Sequence, residues 1–235
     1  MFEAILLDLD GTLLNIDMDL FLPQYFRKMQ ESARESGYNE AGRMVEQIFK
    51  STAVMIANRN PGLSNEEVFM KDFLSKWQYP EEEMRYFFNK FYTTAFSGLR
   101  QYSQPFMGIP EMMKSVLERG LKVVIATNAV FPLIALQQRL DWAGLGDFSF
   151  DLITSYEVMH FCKPHTEYYQ EIAEQIGVDP HKCLMVGNDV GEDLSASGIG
   201  MKTFLVEDML IDKGHGIKPD WRGNLGELFK FMERI

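Results

Sequence analysis

Residues 6–13 are Leu6-Leu7-Asp8-Leu9-Asp10-Gly11-Thr12-Leu13, an apolar run that ends in two aspartates and a Gly-Thr pair. The apolar part is typical of a buried strand, and open parallel sheets present their sites at the carboxyl ends of such strands. Alternation along a strand sends the side chains of Asp8 and Asp10 to the same side, with Leu9 pointing away. Two carboxylates so close resist ionisation unless a cation accompanies them. The stretch therefore predicts a site that uses a metal ion.

Composition limits the classes of protein to which the chain can belong. With 235 residues, 46% of them hydrophobic, the chain can bury a core without disulfides. Acidic residues outnumber basic ones by 34 to 23, giving a net charge of -11 with no basic run, which argues against duplex nucleic acid as a partner. The only cysteines are Cys162 and Cys183, and the first residues lack the features of a signal peptide. We therefore expect a reduced, cytoplasmic protein.

Apolar runs are too short for a membrane span. The run Leu121–Ala126 is among the longest, and a transmembrane helix requires about 20 apolar residues. We therefore expect no membrane-embedded segment.

The first part of the chain after the opening strand has a helical pattern. Between about residues 17 and 99, apolar residues recur at spacings of three and four: Phe21, Tyr25, Met29, Met44, Val45, Ile48 and Phe49. Breaks near Ser36-Gly37, Asn60-Pro61-Gly62 and Tyr79-Pro80 divide this region into about four helices. Ser64 and Glu67 have the spacing of a capping box. The pattern predicts an all-helical insert.

From about residue 104 onward, short β-rich runs alternate with helical patterns. The predicted strands after the first are Leu121–Ala126, Asp151–Thr154, Cys183–Val186 and Met201–Val206. The predicted helices are Pro110–Arg119, Phe131–Trp142, Thr166–Ile176, Glu192–Ser197 and Leu225–Glu233. This alternation is typical of βαβ units in a doubly wound parallel sheet. We predict an α/β core domain of residues 1–15 and 100–235, interrupted by a second, all-helical domain of residues 16–99.

Polar residues follow several of the predicted strands. Thr127-Asn128 ends one strand just before a helix, where a hydroxyl, an amide and free N–H groups favour an oxyanion such as phosphate. Lys163-Pro164 precedes the next helix, and Gly187-Asn188-Asp189, with Asp193 close behind, ends the following strand. Because parallel strands end at the same edge of a sheet, these residues are expected beside Asp8 and Asp10.

In four motifs and in their order, the chain resembles the haloacid dehalogenase superfamily, in its phosphatase branch. The motifs are Asp8-x-Asp10-Gly11-Thr12, Thr127-Asn128, Lys163-Pro164, and Gly187-Asn188-Asp189 with Asp193. The resemblance covers roughly residues 1–15 and 100–235 and implies a Rossmann-like core. The helical insert lies where that family carries a helical cap, between the first and second motifs.

The resemblance implies phosphoryl transfer through an aspartyl-phosphate. On this basis, Asp8 attacks phosphorus, and Asp10 protonates the leaving oxygen and then activates water. Thr127, the backbone around Asn128, and Lys163 would bind the transferring phosphoryl group. Mg2+ is the expected cofactor because all candidate ligands are oxygens.

The metal ligands implied by the resemblance are Asp8, the backbone carbonyl of Asp10 and an acid of the fourth motif. The family usually has aspartate directly after the glycine of that motif, whereas this chain has Asn188. We expect Asp189 to be the direct ligand and Asn188 a neighbouring ligand. Asp193 is expected to lie behind them without touching the metal.

The expected function is Mg2+-dependent hydrolysis of a small phosphomonoester, such as a sugar phosphate, phosphoglycolate or a nucleotide. A cap on linkers near residues 15–17 and 102–107 could close over the site and select this substrate. One alternative is a phosphomutase of the same fold, in which water is kept from the phosphorylated Asp8. Another is a catalytically idle protein that binds a phosphorylated ligand.

Three residues around Lys163 also suggest a zinc site. They are His160, Cys162 and His165, but no second Cys/His pair has the spacing that zinc requires. We predict that these three residues pack at the rim of the site. Trp77 and Trp142 are likewise predicted to be packing residues.

Overall fold

The computed structural model describes all 235 residues. In chain order its strands are β1 (Ala4–Leu7), β2 (Leu14–Ile16), β3 (Ser103–Pro105), β4 (Lys122–Ile125), β5 (Leu152–Ile153), β6 (Cys183–Gly187), β7 (Lys202–Val206) and β8 (Trp221–Gly223). Its α-helices are α1 (Met18–Glu35), α2 (Ala41–Ala57), α3 (Asn65–Lys76), α4 (Glu81–Lys90), α5 (Ile109–Leu117), α6 (Leu133–Trp142), α7 (Thr166–Ile176) and α8 (Leu225–Met232).

Six parallel strands form the main sheet, in the order β5-β4-β1-β6-β7-β8. Strand β1 is central, and its last residue, Leu7, pairs with Ile125 on β4 and Val186 on β6, so these three strands end level with one another. All four residues of β1 are fully buried, as expected for a parallel strand covered on both faces.

Side chains of β1 enter two apolar cores on opposite faces of the sheet. Ile5 and Leu7 join the core that includes α5, α6 and α8, whereas Ala4 and Leu6 join the one that includes α7. Helices therefore cover both faces, and the predicted doubly wound α/β fold is confirmed. The bounds of α7 agree with the prediction, and the ends of the strands predicted after the first shift by at most one residue.

The predicted all-helical insert consists of α1–α4, followed by a π-helical turn at Phe91–Ala95 and a 3-10 segment at Phe96–Tyr102. Helix α1 buries a stripe of residues four apart: Phe21, Tyr25, Met29 and Ala33. The capping box of α3 is present, because Ser64 Oγ accepts from the Glu67 N–H and the Ser64 N–H donates to the Glu67 carboxylate. Phe49 departs from the predicted apolar face, because it is 63% exposed on α2.

The two linkers between the helical block and the sheet form a small antiparallel ribbon, which the sequence pattern did not indicate. Strand β2 pairs with β3, with Leu14 opposite Pro105 and Ile16 opposite Ser103. Backbone hydrogen bonds therefore join the entry and exit of the helical block. The pairing was not predicted because each strand has three residues, too few to show an alternating pattern.

The apolar core of the helical block is continuous with the core on one face of the sheet. The Phe96 ring stacks on Trp142 of α6 with centroids 5.4 Å apart, and Phe21 lies 6.4 Å from the same ring. Trp142 and Trp77 are both buried, as predicted for packing residues. Aromatic side chains thus attach the helical block to the core at α6.

Asn65, at the start of α3, makes a polar attachment between the helical block and the core. It is fully buried, and its side-chain amide donates to the carbonyls of Ala129 and Phe161, both at 3.1 Å. Its backbone N–H donates to the Met159 carbonyl at 2.8 Å. Ala129 and Phe161 lie next to Asn128 and close to Lys163 in the chain, so α3 contacts the loops that carry two of the sequence motifs.

The helix predicted at Glu192–Ser197 is instead a 3-10 segment at Asp193–Ile199. Ser195 Oγ donates to the Glu192 carbonyl and Ser197 Oγ to the Leu194 carbonyl, at 2.6 and 2.7 Å. Such local bonds compete with the α-helical pattern, and Gly200 then ends the segment with φ of 89°. Strand β8 was not predicted either.

No helix of the structure combines the length and the apolar character needed to cross a membrane.

Replacing Asn65 with alanine is expected to destabilise the protein by about 1–3 kcal/mol, because two buried carbonyls lose their donor. Urea unfolding at pH 7 measures this change. Asn89→Ala is the matched control, since Asn89 is exposed on α4 and its side chain makes no hydrogen bond. Equal stability of the two variants would show that the Asn65 contacts do not stabilise the fold.

Candidate active site

Asp8 and Asp10 follow the carboxyl end of β1 and line the same cavity, which has a volume of about 310 Å3. Thr127, Asn128, Asn188, Asp189, Glu192 and Asp193 also line it from the core. The helical block contributes Met18, Asp19 and Leu22 of α1, and the loop after β7 contributes Ile211 and Lys213. The sheet edge thus brings together the polar residues that were predicted to meet there.

Lys163 lies beneath this cavity and bridges two carboxylates. Its Nζ is 2.9 Å from Asp8 Oδ1 and 2.6 Å from Asp193 Oδ1, and the Lys163 side chain is only 1% exposed. Burial opposes the charge of Lys163, but the carboxylates of Asp193 and Asp8 outweigh that effect and raise its pKa well above the ordinary value. Lys163 is therefore a fixed cation that partly neutralises one carboxylate of the first motif and one of the fourth.

Burial lowers the pKa of a lysine but raises the pKa of the carboxyl groups in the site. It raises the pKa of Asp193 to about 7, in spite of the Lys163 cation, and the nearby Asp8 raises it further. Burial also raises the pKa of Asp10 and of Glu192. Burial therefore favours the protonated form of all three carboxyl groups.

Asn128 holds three loops of the site together. Its Oδ1 accepts from the backbone N–H of Lys163 at 3.2 Å, and its Nδ2 donates to the carboxylate of Glu192 at 3.2 Å. The Asn128 side chain is thus used within the protein. The backbone N–H groups of Asn128 and Ala129 make no backbone hydrogen bond and are free to bind an anion.

The helix after Thr127-Asn128 begins later than predicted, at Leu133 rather than Phe131. The Leu133 N–H donates to the carboxylate of Glu157, at 3.0 and 3.1 Å from its two oxygens. Because Glu157 already caps this helix, the helix N-terminus does not supply the predicted anion site. Anion binding would depend on the loop around Asn128 instead.

Asn188 and Asp189 have different surroundings. Asn188 Oδ1 is 3.1 Å from Thr12 Oγ1, which is also 3.2 Å from Asp8 Oδ2. Asp189 Oδ1 accepts from the N–H groups of Gly191 and Glu192, at 2.7 and 2.8 Å, within its own turn. Asn188 therefore faces Asp8 across Thr12, whereas one oxygen of Asp189 is used to form its loop.

Gly11 allows Asn188 to approach the first motif. Its φ is 83°, a conformation that favours glycine, and a Cβ there would lie 2.4 Å from Asn188 Nδ2. The Asn188 amide in turn donates to the Met209 carbonyl at 2.6 Å, which fixes the side chain in this position.

Two functional candidates were missed in the sequence. Thr12 is fully buried and touches both Asp8 and Asn188, although its place in the Asp-x-Asp-Gly-Thr motif was a signal that could have revealed it. Arg139 is fully buried in α6 and pairs with Asp10 Oδ2. No local pattern indicated this contact, because the partners are 129 residues apart.

The three residues that suggested zinc have separate partners. His160 Nδ1 is 2.6 Å from Glu171, His165 Nε2 is 2.9 Å from the Ile56 carbonyl, and the buried Cys162 lies against Asn65. Each of these side chains is therefore engaged at a different point around the Lys163 loop.

No three His, Cys, Asp or Glu side chains converge in a way that could hold a metal ion. A divalent cation at this edge would therefore need backbone carbonyl or amide oxygens among its ligands. Asn188 Oδ1 is an amide oxygen of this kind. The single hydroxyl proton of Thr12 can be donated to only one of Asp8 Oδ2 and Asn188 Oδ1, so the other oxygen is free. Asp10 Oδ1 is buried without a hydrogen-bond partner. The donor set fits a hard cation such as Mg2+.

A family model of haloacid dehalogenase-like hydrolases matches residues 2–197. The chain belongs to this family. As a haloacid dehalogenase-like hydrolase it shares its fold with a phosphatase of the same family from Thermococcus onnurineus, with a TM-score of 0.59 and 19% identity over 98% of this chain and 97% of the other.

Two curated relatives match this hydrolase over different shares of their length. Hexitol phosphatase B of Escherichia coli K12 is 31% identical over 99 residues, which are 42% of this chain and 43% of the relative. The match thus spans less than half of that relative. The phosphoglycolate phosphatase of Neisseria meningitidis serogroup A is 25% identical over 98% of this chain and 94% of its own length.

Replacing Lys163 with methionine is expected to destabilise the hydrolase by about 3–5 kcal/mol at pH 8, since buried carboxylates lose their cation. Without Lys163 the pKa of Asp193 rises further above its unfolded value, so the folded state gains stability from protonation as the pH falls. The deficit should therefore shrink at pH 5. Urea unfolding of the variant and the wild type at both pH values measures it.

Lys163→Met in an Asp193→Asn background is the control for this interaction. Because the asparagine side chain carries no charge, the lysine should contribute less to stability in that background. The same loss in both backgrounds would show that the Lys163–Asp193 bridge does not stabilise the site.

Proposed function

We propose that this hydrolase cleaves a small phosphomonoester through an aspartyl-phosphate on Asp8. The observation that carries the proposal is the pairing of two unlike carboxyl groups in one cavity. Asp8 is held by Lys163 and Thr12, while Asp10 beside it has a raised pKa and one unpartnered oxygen. An oriented nucleophile next to an acid that can hold a proton is what phosphoester cleavage requires.

In the first step, an Asp8 oxygen attacks phosphorus, and the bond from phosphorus to the ester oxygen breaks. Asp10 gives its proton to the departing oxygen, so an alcohol leaves. In the second step, Asp10 takes a proton from water, the water oxygen attacks phosphorus, and the bond to Asp8 breaks. Phosphate is released, and Asp10 again holds a proton. The free N–H groups around Asn128 would bind the phosphoryl oxygens together with Thr127 and Lys163.

Mg2+ is the proposed cofactor. Asp8, the backbone carbonyl of Asp10 and the amide oxygen of Asn188 would hold it, with Asp189 next to them. When bound, it would offset negative charge on the transferring phosphoryl group. This proposal reverses the preference for Asp189 over Asn188, because Asn188 Oδ1 faces Asp8 across Thr12.

The size of the cavity favours a small substrate. Its volume of about 310 Å3 is at the low end for small-molecule sites, which are roughly 300–1,000 Å3. The relatives described above are named as phosphatases of a hexitol phosphate and of phosphoglycolate. We propose a substrate of this size, whose leaving group meets Met18, Asp19 and Leu22 of α1.

We also propose that residues 16–99 act as a cap domain on a core of residues 1–15 and 100–235. In this arrangement α1 forms one wall of the cavity. The cap residues on that wall would then select the leaving group, while the core residues perform phosphoryl transfer.

Phosphate release from hexitol phosphate, phosphoglycolate and β-glycerophosphate, with Mg2+ or EDTA, tests the function. We expect turnover with Mg2+ on at least one ester, and none with EDTA. Asp8→Asn and Asp10→Asn should each lower kcat by at least about a hundredfold. Folded protein without turnover of any ester would contradict the proposal and favour a mutase or a binding protein.

Mg2+ titration of Asn188→Ala and Asp189→Ala, followed by calorimetry, tests the metal ligands. We expect Asn188→Ala to weaken Mg2+ binding by about tenfold or more, and Asp189→Ala to weaken it less. Glu207→Ala, which removes an exposed carboxylate outside the cavity, is the control for general loss of negative charge. A larger loss in Asp189→Ala would return the direct contact to Asp189.

A further inference from the structure

Arg139 is a fully buried cation that the catalytic steps above do not use. It lies in the last turn of α6, and one of its terminal nitrogens donates to Asp10 Oδ2. The centre of its guanidinium group lies 4.3 Å from the centroid of the Phe131 ring. The guanidinium thus packs on the Phe131 ring and has a single carboxylate partner.

Fold stability does not explain this arrangement. Burying a guanidinium costs free energy unless its donors are satisfied, and Nε and the second terminal nitrogen of Arg139 have no partner. A leucine or methionine would suit the apolar surroundings of α6 better. The contact with Asp10 is therefore the feature that sets Arg139 apart.

The contact differentiates the two oxygens of Asp10. Oδ2 accepts from Arg139, whereas Oδ1 is buried and has no partner. Because the guanidinium has donors and no acceptor, it fixes the Asp10 carboxyl group through Oδ2 and leaves Oδ1 without a protein partner.

We propose that Arg139 is a positioning residue that holds the Asp10 carboxyl group, through Oδ2, at the place where that group serves the leaving oxygen. The inference rests on the function proposed above and names the residue that fixes its acid. As the bond from phosphorus to the leaving oxygen breaks, the proton moves from Asp10 to that oxygen. In the second step Asp10 takes a proton from the attacking water, while Oδ2 stays bonded to Arg139.

The leaving group of the ester distinguishes a positioning role of Arg139 from a merely structural one. An alkoxide is a poor leaving group and needs a proton, whereas p-nitrophenolate leaves without one. If Arg139 positions the acid, its loss must slow the first step of alkyl esters far more than that of p-nitrophenyl phosphate. A residue that only supports the fold would slow both esters alike.

The experiment compares kcat/KM for p-nitrophenyl phosphate and for the best alkyl phosphate of the panel above. This ratio reports the steps up to release of the alcohol or phenol and leaves out hydrolysis of the aspartyl-phosphate, which both esters share. The variants are Arg139→Met, Arg139→Lys, Asp10→Asn and the double variant Arg139→Met/Asp10→Asn. Arg100→Met is the matched control, since Arg100 is exposed and its side chain makes no hydrogen bond. Circular dichroism and thermal unfolding establish that each variant is folded.

We expect Arg139→Met to lower kcat/KM for the alkyl phosphate by about a hundredfold and to alter kcat/KM for p-nitrophenyl phosphate by less than about threefold. Arg139→Lys should recover part of the loss. The double variant should be no slower than Asp10→Asn, because both changes remove the same proton transfer. Arg100→Met should match the wild type.

Equal losses on the two esters, or losses that add in the double variant, would overturn the role of Arg139. If Arg139→Met does not fold, Arg139→Lys decides the question by the same comparison of esters. A folded wild type that cleaves neither ester would overturn the proposed function itself. The failure of the positioning role is therefore distinct from the failure of the function.

Discussion

The site depends on the ion bridge that Lys163 makes between Asp8 and Asp193. These carboxylates follow β1 and β6, two neighbouring strands that end level with each other. Without a cation, two buried acids so close would repel each other and would have to be protonated. The lysine allows both loops to approach each other. Asn128, in the loop after β4, accepts a hydrogen bond from the Lys163 backbone N–H. Three loops thus take their positions from one buried charge.

The features that could be predicted from the sequence are those formed by residues close together in the chain. The four apolar residues of β1, the stripe of α1 and the capping box at Ser64 each involve residues within a few positions of one another. The meeting of Asp8, Asn128 and Lys163 also followed, because parallel strands end at one edge whatever their order. Their roles in catalysis and metal binding are proposals.

Contacts between distant residues account for what was missed. Arg139 has the sequence context of an ordinary arginine near a helix end, and only the packing of α6 against Phe131 brings it to Asp10. Asn65 likewise resembles the first residue of any helix, yet the fold buries it between two core loops. The preference between Asn188 and Asp189 depended on which side chain forms its own turn, which motif spacing does not reveal.

Asp10 and the loop around Asn128 are attached to the helical block through different contacts. Asn65 of α3 bonds to residues close to Asn128 and Lys163, whereas Tyr25 of α1 packs on Phe131, 5.5 Å between centroids. Phe131 in turn carries the guanidinium of Arg139, which holds Asp10. A displacement of α1 therefore acts on Asp10 through Phe131 and Arg139, whereas a displacement of α3 acts on the loop around Asn128. Closure over a substrate would have to preserve both sets of contacts for Asp10 and the loop to stay aligned.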